Sequence, residues 1–260
     1  MTHPRSPTPS EFERQVVIVT GGSAGIGRAI ANAFALAGAN VVVAGRNFDA
    51  ASRTAREIER DAGAHVLPLQ ADIAAPAECE ALIAATVRRF GAVDILVNNA
   101  AYFALVPLLE SRPDDAARFL YTNLCGPLFC GQALARWVSE NQRRGVIVNI
   151  SSISGARPAL GCGLYAASKA ALDSLTKSMA FEWTSKGVRV NGVAPGHVNT
   201  EGVMADFEAG RLDHRAMIEA IPAHRIADVA DIANAVLFLC SERARHIVGQ
   251  TLTIDGGESL

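Results

Sequence analysis

The sequence predicts a single doubly wound α/β domain, in which helices cover both faces of a parallel sheet of about seven strands. Short β-branched runs alternate with longer stretches that carry apolar residues at helical spacing. No linker rich in Pro, Gly and Ser interrupts this alternation, and 260 residues, 50% of them hydrophobic, suffice for a large core without disulfides. We therefore expect one domain over residues 14–260, preceded by a frayed polar tail over residues 1–13.

The predicted strands are short and almost continuously apolar, as expected for a parallel sheet that is covered on both faces. They are Val16–Val19, Val41–Ala44, Val66–Gln70, Ile95–Val97, Gly145–Ile150, Arg189–Ala194 and Thr251–Ile254. The predicted helices are Gly25–Ala37, Phe48–Ala62, Ala75–Phe90, Asp114–Gln142, Tyr165–Lys186 and Val229–Leu239. Ligands of such a sheet bind beyond the carboxyl ends of its strands, so functional residues are expected directly after the strands.

Charge and apolar content exclude several classes of partner. The 24 basic and 26 acidic residues give a net charge of −2 and leave no basic patch for nucleic acid or an anionic membrane. No segment approaches the roughly 18 apolar residues of a membrane span, and Met1–Glu13 lacks the apolar stretch of a signal peptide. A cytoplasmic protein is therefore expected. The 5 cysteines lack metal-ligand spacing, so buried thiols are predicted rather than disulfides, and no metal site is predicted.

The first predicted strand runs directly into a glycine-rich turn and a helix. The turn reads Thr20-Gly21-Gly22-Ser23-Ala24-Gly25-Ile26-Gly27. Glycines at 21, 25 and 27 remove side chains that would block the backbone, and the following helix N-terminus offers N–H groups to a pyrophosphate. A tight turn without a ligand is the alternative, but the strand–turn–helix context favours a phosphate site.

The end of the second predicted strand bears on the choice of dinucleotide. It reads Ala44-Gly45-Arg46-Asn47, without the acidic side chain that would bind an unmodified adenine ribose. A small residue followed by arginine leaves room for a 2′-phosphate and supplies a cation to bind it. The pattern favours NADP over NAD, with an ordinary surface arginine as the alternative.

Tyr165 and Lys169 lie four residues apart near the start of a predicted helix and therefore share one face. A phenol is a poor base at neutral pH, but an ammonium about 4 Å away favours the phenolate by roughly 4 kcal/mol at an effective dielectric near 20. We therefore expect Lys169 to lower the pKa of Tyr165 and make it a general acid and base for a carbonyl or alcohol. A chance pairing of two helical residues is the alternative.

Two further polar residues follow apolar segments in positions that suit a site. Ser152 ends a predicted strand and places a hydroxyl where it can polarise a substrate oxygen; a hydrolase role lacks both a Gly-x-Ser-x-Gly turn and an evident histidine partner. Asn123 precedes Gly126-Pro127, where proline disrupts helical hydrogen bonding and a polar side chain can hold water. A helix-surface asparagine is the alternative for Asn123.

Together these residues resemble the short-chain dehydrogenase/reductase family from Val16 to Gly257. The shared motifs, in the family's order, are Thr20 to Gly27, Asp72, Asn98-Asn99-Ala100, Ser152 with Tyr165 and Lys169, and Pro195-Gly196 with Thr200. The resemblance implies a Rossmann-like fold and a catalytic tetrad of Asn123, Ser152, Tyr165 and Lys169. Ser152 would bind the reacting oxygen, and Tyr165 would transfer the proton. Lys169 would hold the nicotinamide ribose, and Asn123 would support a water relay.

The resemblance also implies which residues contact the cofactor. They are Gly21, Ser23, Gly25, Ile26, Gly27, Arg46, Asp72, Ile73, Asn99, Ala100, Tyr165, Lys169, Pro195, Val198 and Thr200. One departure stands out, because Ala101 occupies a position that is usually glycine in the family. If that position requires a positive φ, alanine costs about 1 kcal/mol there.

Substrate recognition is expected in the less patterned segments that follow the strands. Candidate residues are Tyr102, Ser154, Leu160, Cys162, Val203, Met204 and Phe207, which suggest a pocket for a neutral, fairly apolar ketone or alcohol. The expected activity is NADP(H)-dependent interconversion of a secondary alcohol and a ketone, with 3-oxoacyl thioesters as a candidate substrate class. The alternative is a non-catalytic NADP(H)-sensing protein of the same fold. Apolar faces on Asp114–Gln142 and Tyr165–Lys186, with the family resemblance, predict a homotetramer, with a dimer as the alternative.

Overall fold

A computed structural model describes residues 11–209 and 213–260. Its strands are β1 (Val16–Thr20), β2 (Asn40–Gly45), β3 (Val66–Gln70), β4 (Ile95–Asn98), β5 (Gly145–Ile150), β6 (Val188–Pro195), β7 (Val198–Asn199), β8 (Ala227–Asp228) and β9 (Thr251–Ile254). Its α-helices are α1 (Gly25–Leu36), α2 (Phe48–Ala62), α3 (Pro76–Phe90), α4 (Pro113–Leu120), α5 (Gly126–Glu140), α6 (Gly163–Trp183), α7 (Glu201–Glu208), α8 (His214–Ala220) and α9 (Val229–Cys240).

Seven strands form one parallel sheet in the order β3-β2-β1-β4-β5-β6-β9. The predicted doubly wound architecture is confirmed, and all seven predicted strands occur, each within one residue of its predicted ends. The order reverses between β1 and β4, which is the switch point where open α/β sheets bind ligands. The carboxyl ends of β1, β4, β5 and β6 therefore meet along one edge.

Alternate residues of the strands supply two cores, one on each face of the sheet. Val17 and Val19 of β1 point into the core beneath α1, α2 and α9, whereas Ile18 points into the core beneath α3, α5 and α6. This alternation follows from the two-residue period of a strand. Because both faces are buried, the strand ends and their loops are the places left for polar functional groups.

The long helix predicted over Asp114–Gln142 is interrupted. A π turn at Tyr121–Cys125 separates α4 from α5, and the N–H of Gly126 donates to the carbonyl of Tyr121, five residues earlier. Pro127 has no N–H to continue the ordinary four-residue pattern, which accounts for the irregularity. Helices α7 and α8 and the two-stranded sheet of β7 and β8 were not predicted.

The packed domain begins earlier than the predicted boundary at residue 14. Phe12 is 1% exposed, its ring lies 5.0 Å from that of Phe34, and its N–H donates to the carbonyl of Ala37 at 3.1 Å. Phe12 therefore belongs to the core rather than to a tail, while the rest of the predicted tail, residues 1–10, lies outside the described residues. Across the parts of the chain that the structure describes, no helix combines the length and apolarity needed to cross a membrane.

Candidate active site

A large cavity of about 1060 Å³ lies at the carboxyl edge of the sheet. Its wall is built from the residues that directly follow β1 to β6, which is where the sequence predicted functional groups. Its volume is at the upper end of the range for small-molecule sites and suits a dinucleotide together with a substrate. The glycine turn lines one end of the cavity, and Tyr165 and Ser152 line its middle.

The glycine turn is held by two side chains. The buried hydroxyl of Thr20 accepts hydrogen bonds from the N–H groups of Asn99 and Ala100, at 3.0 and 3.1 Å. The side-chain amide of Asn99 donates to the carbonyls of Thr20 and Gly21, at 3.0 and 3.1 Å. These hydrogen bonds hold the loops after β1 and β4 together. Asn99 therefore contributes to a cofactor site by fixing the backbone of the glycine turn.

Two glycines of the turn are required by close packing. A Cβ on Gly27 would lie 2.2 Å from the carbonyl oxygen of Gly21 and 2.4 Å from the amide nitrogen of Asn99. A Cβ on Gly21 would meet Ala100 and Asn99 at 2.9 Å, and Gly21 has a φ of +63°. The backbone is therefore bare where a phosphate would approach, so the residues present fit a dinucleotide.

Gly25, at the first position of α1, already has a partner. Its N–H donates to a carboxylate oxygen of Glu201, the first residue of α7, at 3.1 Å. The other oxygen of Glu201 lies 3.8 Å from the guanidinium of Arg28. An acidic side chain thus sits at the helix N-terminus, where the positive end of the helix dipole attracts anions.

The other residues predicted to contact the cofactor line the same cavity, except Gly25. They are Gly21, Ser23, Ile26, Gly27, Arg46, Asp72, Ile73, Asn99, Ala100, Tyr165, Lys169, Pro195, Val198 and Thr200. Arg46 is exposed at the end of β2. The carboxylate of Asp72 accepts from the N–H of Ala74 at 3.0 Å, which closes the turn after β3.

Ser152, Tyr165 and Lys169 come together as the sequence predicted. Ser152 follows β5, and its hydroxyl accepts from the N–H of Ser154 at 3.1 Å. Tyr165 and Lys169 lie in the first turns of α6, with the Lys169 ammonium nitrogen 5.6 Å from the centre of the Tyr165 ring. Lys169 is buried, and its Nζ donates to the carbonyl of Ile150 at 2.7 Å. All three side chains line the cavity.

The electrostatics of this group differ from the expectation. Burial raises the pKa of Tyr165, although a hydrogen bond with Ser152 opposes that rise. Burial also lowers the pKa of Lys169 to about 8, against an opposing effect of Asp173. The lysine is directed at a backbone carbonyl and is itself desolvated, so the net result in this state is a raised pKa of Tyr165, not the lowered pKa that the sequence predicted. Tyr165 is therefore a neutral phenol near pH 7.

Asn123 lies behind the cavity in the π turn rather than on its wall. Its Oδ1 accepts from the N–H of Tyr102 at 2.7 Å, and its Nδ2 donates to the carbonyl of Tyr102 at 2.9 Å and to the hydroxyl of Ser168 at 3.0 Å. The hydroxyl of Ser168 donates in turn to the carbonyl of Tyr165 at 2.7 Å. The hydrogen bonds of Asn123 thus connect the loop after β4 to the first turn of α6, and its part in a water relay stays a prediction.

The predicted substrate residues divide into two groups. Ser154, Cys162 and Val203 line the cavity, whereas Tyr102, Leu160, Met204 and Phe207 do not. Leu160 is 99% exposed and Met204 is 43% exposed. The ring of Tyr102 packs on Phe119 at 4.9 Å, and Phe207 packs on His214 at 4.8 Å. Burial raises the pKa of Cys162, so its thiol stays protonated beside Tyr165.

The large or charged wall residues Phe103, Arg157, His197 and Glu258 were not among the individual candidates. The first three lie within the segments 102–112, 154–164 and 197–225, where the sequence placed substrate recognition, whereas Glu258 lies outside them. Phe103 takes the place expected for Tyr102, and its ring stacks edge-on against Tyr165 with 5.0 Å between centres. The departure at Ala101 carries no strain, because this residue is absent from the non-glycine residues with positive φ.

Comparisons with known proteins agree with this geometry. A family profile described as enoyl-(acyl carrier protein) reductase matches residues 21–259. The chain is 37% identical to a sorbitol dehydrogenase of Cereibacter sphaeroides, over 95% of this chain and 98% of that protein. It is 38% identical to a 3-oxoacyl-[acyl-carrier-protein] reductase of Staphylococcus epidermidis, over 92% of this chain and 97% of that protein.

A solved structure extends the likeness to three dimensions. It is a 7α-hydroxysteroid dehydrogenase complexed with NADH and 7-oxo glycochenodeoxycholic acid, 35% identical, with a TM-score of 0.89 and 96% of each chain covered. The fold, the cavity and the similarity to these known proteins together identify an oxidoreductase that binds NAD or NADP. The chain belongs to the short-chain dehydrogenase/reductase family, as the sequence motifs indicated.

Proposed function

We propose that the protein is an NADP(H)-dependent oxidoreductase that interconverts a secondary alcohol and a ketone. The observation that carries this proposal is the meeting of Ser152, Tyr165 and Lys169 in the cavity whose other end is the glycine turn. A hydroxyl donor, a proton-transfer group and a cation beside it are the side chains that alcohol oxidation and ketone reduction require.

The dinucleotide supplies the hydride chemistry when it is bound. Ser152 binds the substrate oxygen through its hydroxyl, and Tyr165 donates a proton to that oxygen in reduction or accepts one in oxidation. Burial keeps the pKa of Tyr165 high, so the phenol holds its proton near pH 7 and can donate it in reduction. Lys169 carries a charge near the ring, since its pKa of about 8 leaves most of it protonated at neutral pH. That charge stabilises the phenolate formed as the proton leaves.

NADP is proposed over NAD because Arg46 follows Gly45 at the end of β2 and lines the cavity. Replacing it by aspartate exchanges a cation that binds a 2′-phosphate for a carboxylate that repels it. We expect Arg46→Asp to move the ratio of kcat/KM for NADPH over NADH at least tenfold toward NADH. Arg56→Asp, an exposed change on α2 away from the cavity, is the matched control. A wild-type protein that prefers NADH would contradict the assignment.

Turnover is tested with a panel of ketones, secondary alcohols, sugars and 3-oxoacyl thioesters, followed by nicotinamide absorbance. The names of the relatives cover a sugar alcohol, a steroid and an acyl thioester, so the panel spans all three classes. We expect turnover with at least one carbonyl or alcohol. Tight NADPH binding with no turnover across the panel would instead support the non-catalytic sensing protein.

The proposed assembly is a homotetramer built from dimers that pack α5 against α6. Between these helices lies a groove of about 550 Å³ with an apolar floor that includes Leu128, Leu175 and Trp183, and with both Arg136 and Glu182 at its margin. A two-fold symmetric contact brings this groove against the same groove of a second chain, so the acidic and basic side chains at its margin can pair. Light scattering at micromolar concentration is expected to give a mass of about four chains. A mass near 27.3 kDa would contradict it.

A further inference from the structure

Three charged or ionisable side chains from distant parts of the sequence meet at the substrate end of the cavity. Arg157 lies in the loop after β5, His197 in the loop after β6, and Glu258 in the segment that follows β9. All three line the cavity wall. The reaction at Ser152 and Tyr165 does not use them, so they require a separate explanation.

Glu258 and His197 form a tight pair. One carboxylate oxygen of Glu258 lies 2.7 Å from Nδ1 of His197, and the other accepts from the His197 backbone N–H at 3.1 Å. The Glu258 side chain is only 8% exposed, whereas that of His197 is 44% exposed. The buried carboxylate therefore fixes the orientation of an imidazole that remains open to the cavity.

The surrounding backbone is shaped for this pair. A Cβ on Gly196 would lie 2.8 Å from a carboxylate oxygen of Glu258, so only glycine lets the C-terminal segment approach. The segment is also held by Asp255, whose carboxylate accepts from the N–H groups of Gly257 and Ser259, each at 2.9 Å. The guanidinium of Arg157 donates to the backbone carbonyl of Glu258. Glu258 is thus anchored at several points rather than placed by chance.

The pair leaves one ring nitrogen for a ligand. With Nδ1–H donated to the carboxylate, the neutral ring presents Nε2 as an acceptor, and a protonated ring would present it as a donor. Among the described residues no hydrogen bond to Nε2 occurs. A hydroxyl group can pair with Nε2 in either state because it both donates and accepts. The apolar wall residues Phe103 and Ala159 cannot satisfy such a group.

We propose that His197, oriented by Glu258, binds a hydroxyl group that the substrate carries beside its reacting carbon. The substrate class is then a hydroxyketone or polyol rather than the neutral, apolar ketone expected from the sequence. His197 is a specificity-determining residue in this account and takes no part in the proton transfer. The inference rests on the proposed reaction and adds the substrate class to it.

The test compares two matched pairs of ketones with NADPH. The pairs are butan-2-one with 3-hydroxybutan-2-one, and cyclohexanone with 2-hydroxycyclohexanone, so each pair differs by one hydroxyl. Wild-type protein is expected to show a kcat/KM about tenfold higher for the hydroxyketone in at least one pair, the value of one well-made hydrogen bond. His197→Phe is expected to abolish that preference, because kcat/KM for the hydroxyketone should fall about tenfold more than kcat/KM for the plain ketone of the same pair.

Further variants separate recognition from structure. His197→Gln keeps a hydrogen-bonding group and is expected to retain part of the preference. Glu258→Gln keeps an acceptor for Nδ1 but loses the charge, so a smaller loss is expected than in His197→Phe. His246→Phe changes an exposed histidine outside the cavity and should leave the preference at its wild-type value. Thermal melting of each variant confirms that it folds.

Several results would overturn the inference. They are equal wild-type rates within both pairs, equal losses with both ketones of a pair in His197→Phe, and an unchanged preference in that variant. A higher kcat/KM for 3-oxobutanoate than for 3-hydroxybutan-2-one would also overturn it, by assigning this end to Arg157 and an anionic substrate. If plain ketones are reduced without any of these preferences, the inference is wrong but the proposed function stands. If no carbonyl is reduced at all, the proposed function is wrong as well.

Discussion

At the cofactor end of the cavity, the wall is backbone held by hydrogen bonds with the side chains of Thr20 and Asn99. At the substrate end the wall comes from the loop after β6, from α7 and α8, and from the C-terminal segment. The first end follows buried strands directly, whereas α8 buries none of its residues. Sites of local flexibility concentrate where few apolar contacts are made. The difference assigns cofactor binding to a rigid frame at the strand ends, and substrate choice to a wall of loops and short helices in which Glu258 is anchored by hydrogen bonds.

This contrast also separates what sequence could predict from what it could not. The frame depends on contacts close to strand ends, so its residues appear as motifs of fixed spacing, such as Gly21 to Gly27 and Tyr165 with Lys169. The substrate wall depends on pairs such as His197 and Glu258, which are 61 residues apart and have no periodic pattern. If the contrast holds, changes in the frame have large effects on cofactor binding, and changes in the wall have small ones.

The largest effect on cofactor binding is expected for Gly27→Ala. The new Cβ would lie 2.2 Å from the carbonyl oxygen of Gly21, so the turn that cradles the pyrophosphate must move. We expect the Kd for NADPH, measured by fluorescence titration, to rise by about a hundredfold or more. Gly91→Ala is the control, because its φ of +79° costs stability while nothing lies within 4 Å of the new Cβ. Equal Kd values for the two variants would show that the turn is not rigid.

The particular failures of the sequence analysis have physical causes. Short, almost continuously apolar runs located every strand of the large sheet. The interruption at Tyr121–Cys125 was missed because apolar spacing continues through it, although Pro127 has no N–H to donate. Tyr102 was predicted to line the cavity, but Phe103 lines it instead, because composition does not reveal which side of an irregular segment faces the cavity. The pKa of Tyr165 was misjudged because burial, which opposes a nearby charge, is invisible in a spacing of four residues.

Lys169→Met tests the cost of burying charge in the frame. The folded pKa of about 8 lies below the ordinary 10.5, so the unfolded chain binds this proton more strongly. Burying the charged lysine therefore lowers the unfolding free energy by about 3 kcal/mol below pH 8, and this loss disappears as pH rises toward 10.5. The variant also loses the hydrogen bond from Lys169 to the carbonyl of Ile150, which is worth about 1 kcal/mol. Its unfolding free energy at pH 7 should therefore be about 2 kcal/mol higher than that of the wild type, while its activity should fall roughly a hundredfold.

Urea unfolding of the wild type and the variant at several pH values measures this gain. The difference between the two proteins should shrink as pH rises from 8 to 10.5. Lys177→Met, an exposed change on the same helix, is the matched control and should show no such trend. A Lys169→Met protein that is less stable than the wild type at pH 7 would show that the ammonium stabilises the fold instead.

The smallest effect is expected for Glu201→Gln, at the junction of the two ends. Its carboxylate accepts from Gly25 N–H, beside the path of the cofactor pyrophosphate, but the side chain is 68% exposed and its charge is screened. Removing the charge should lower the Kd for NADPH by about twofold to fivefold, with a smaller change at high salt. Glu57→Gln removes another partner of Arg28 away from Gly25 and should not reproduce it. Weaker NADPH binding by the Glu201→Gln variant would contradict the claim that the Glu201 carboxylate opposes binding of the cofactor pyrophosphate.

The most direct test of the whole account is Tyr165→Phe, with kinetics and NADPH binding measured on the same preparation. The variant lacks only the hydroxyl that transfers the proton, while the ring can keep its contact with Phe103. We expect kcat with the best ketone to fall by about a thousandfold and the Kd for NADPH to stay within about twofold. An equally active Tyr165→Phe protein, or one that loses NADPH binding along with activity, would contradict the assignment of Tyr165 as the proton-transfer group.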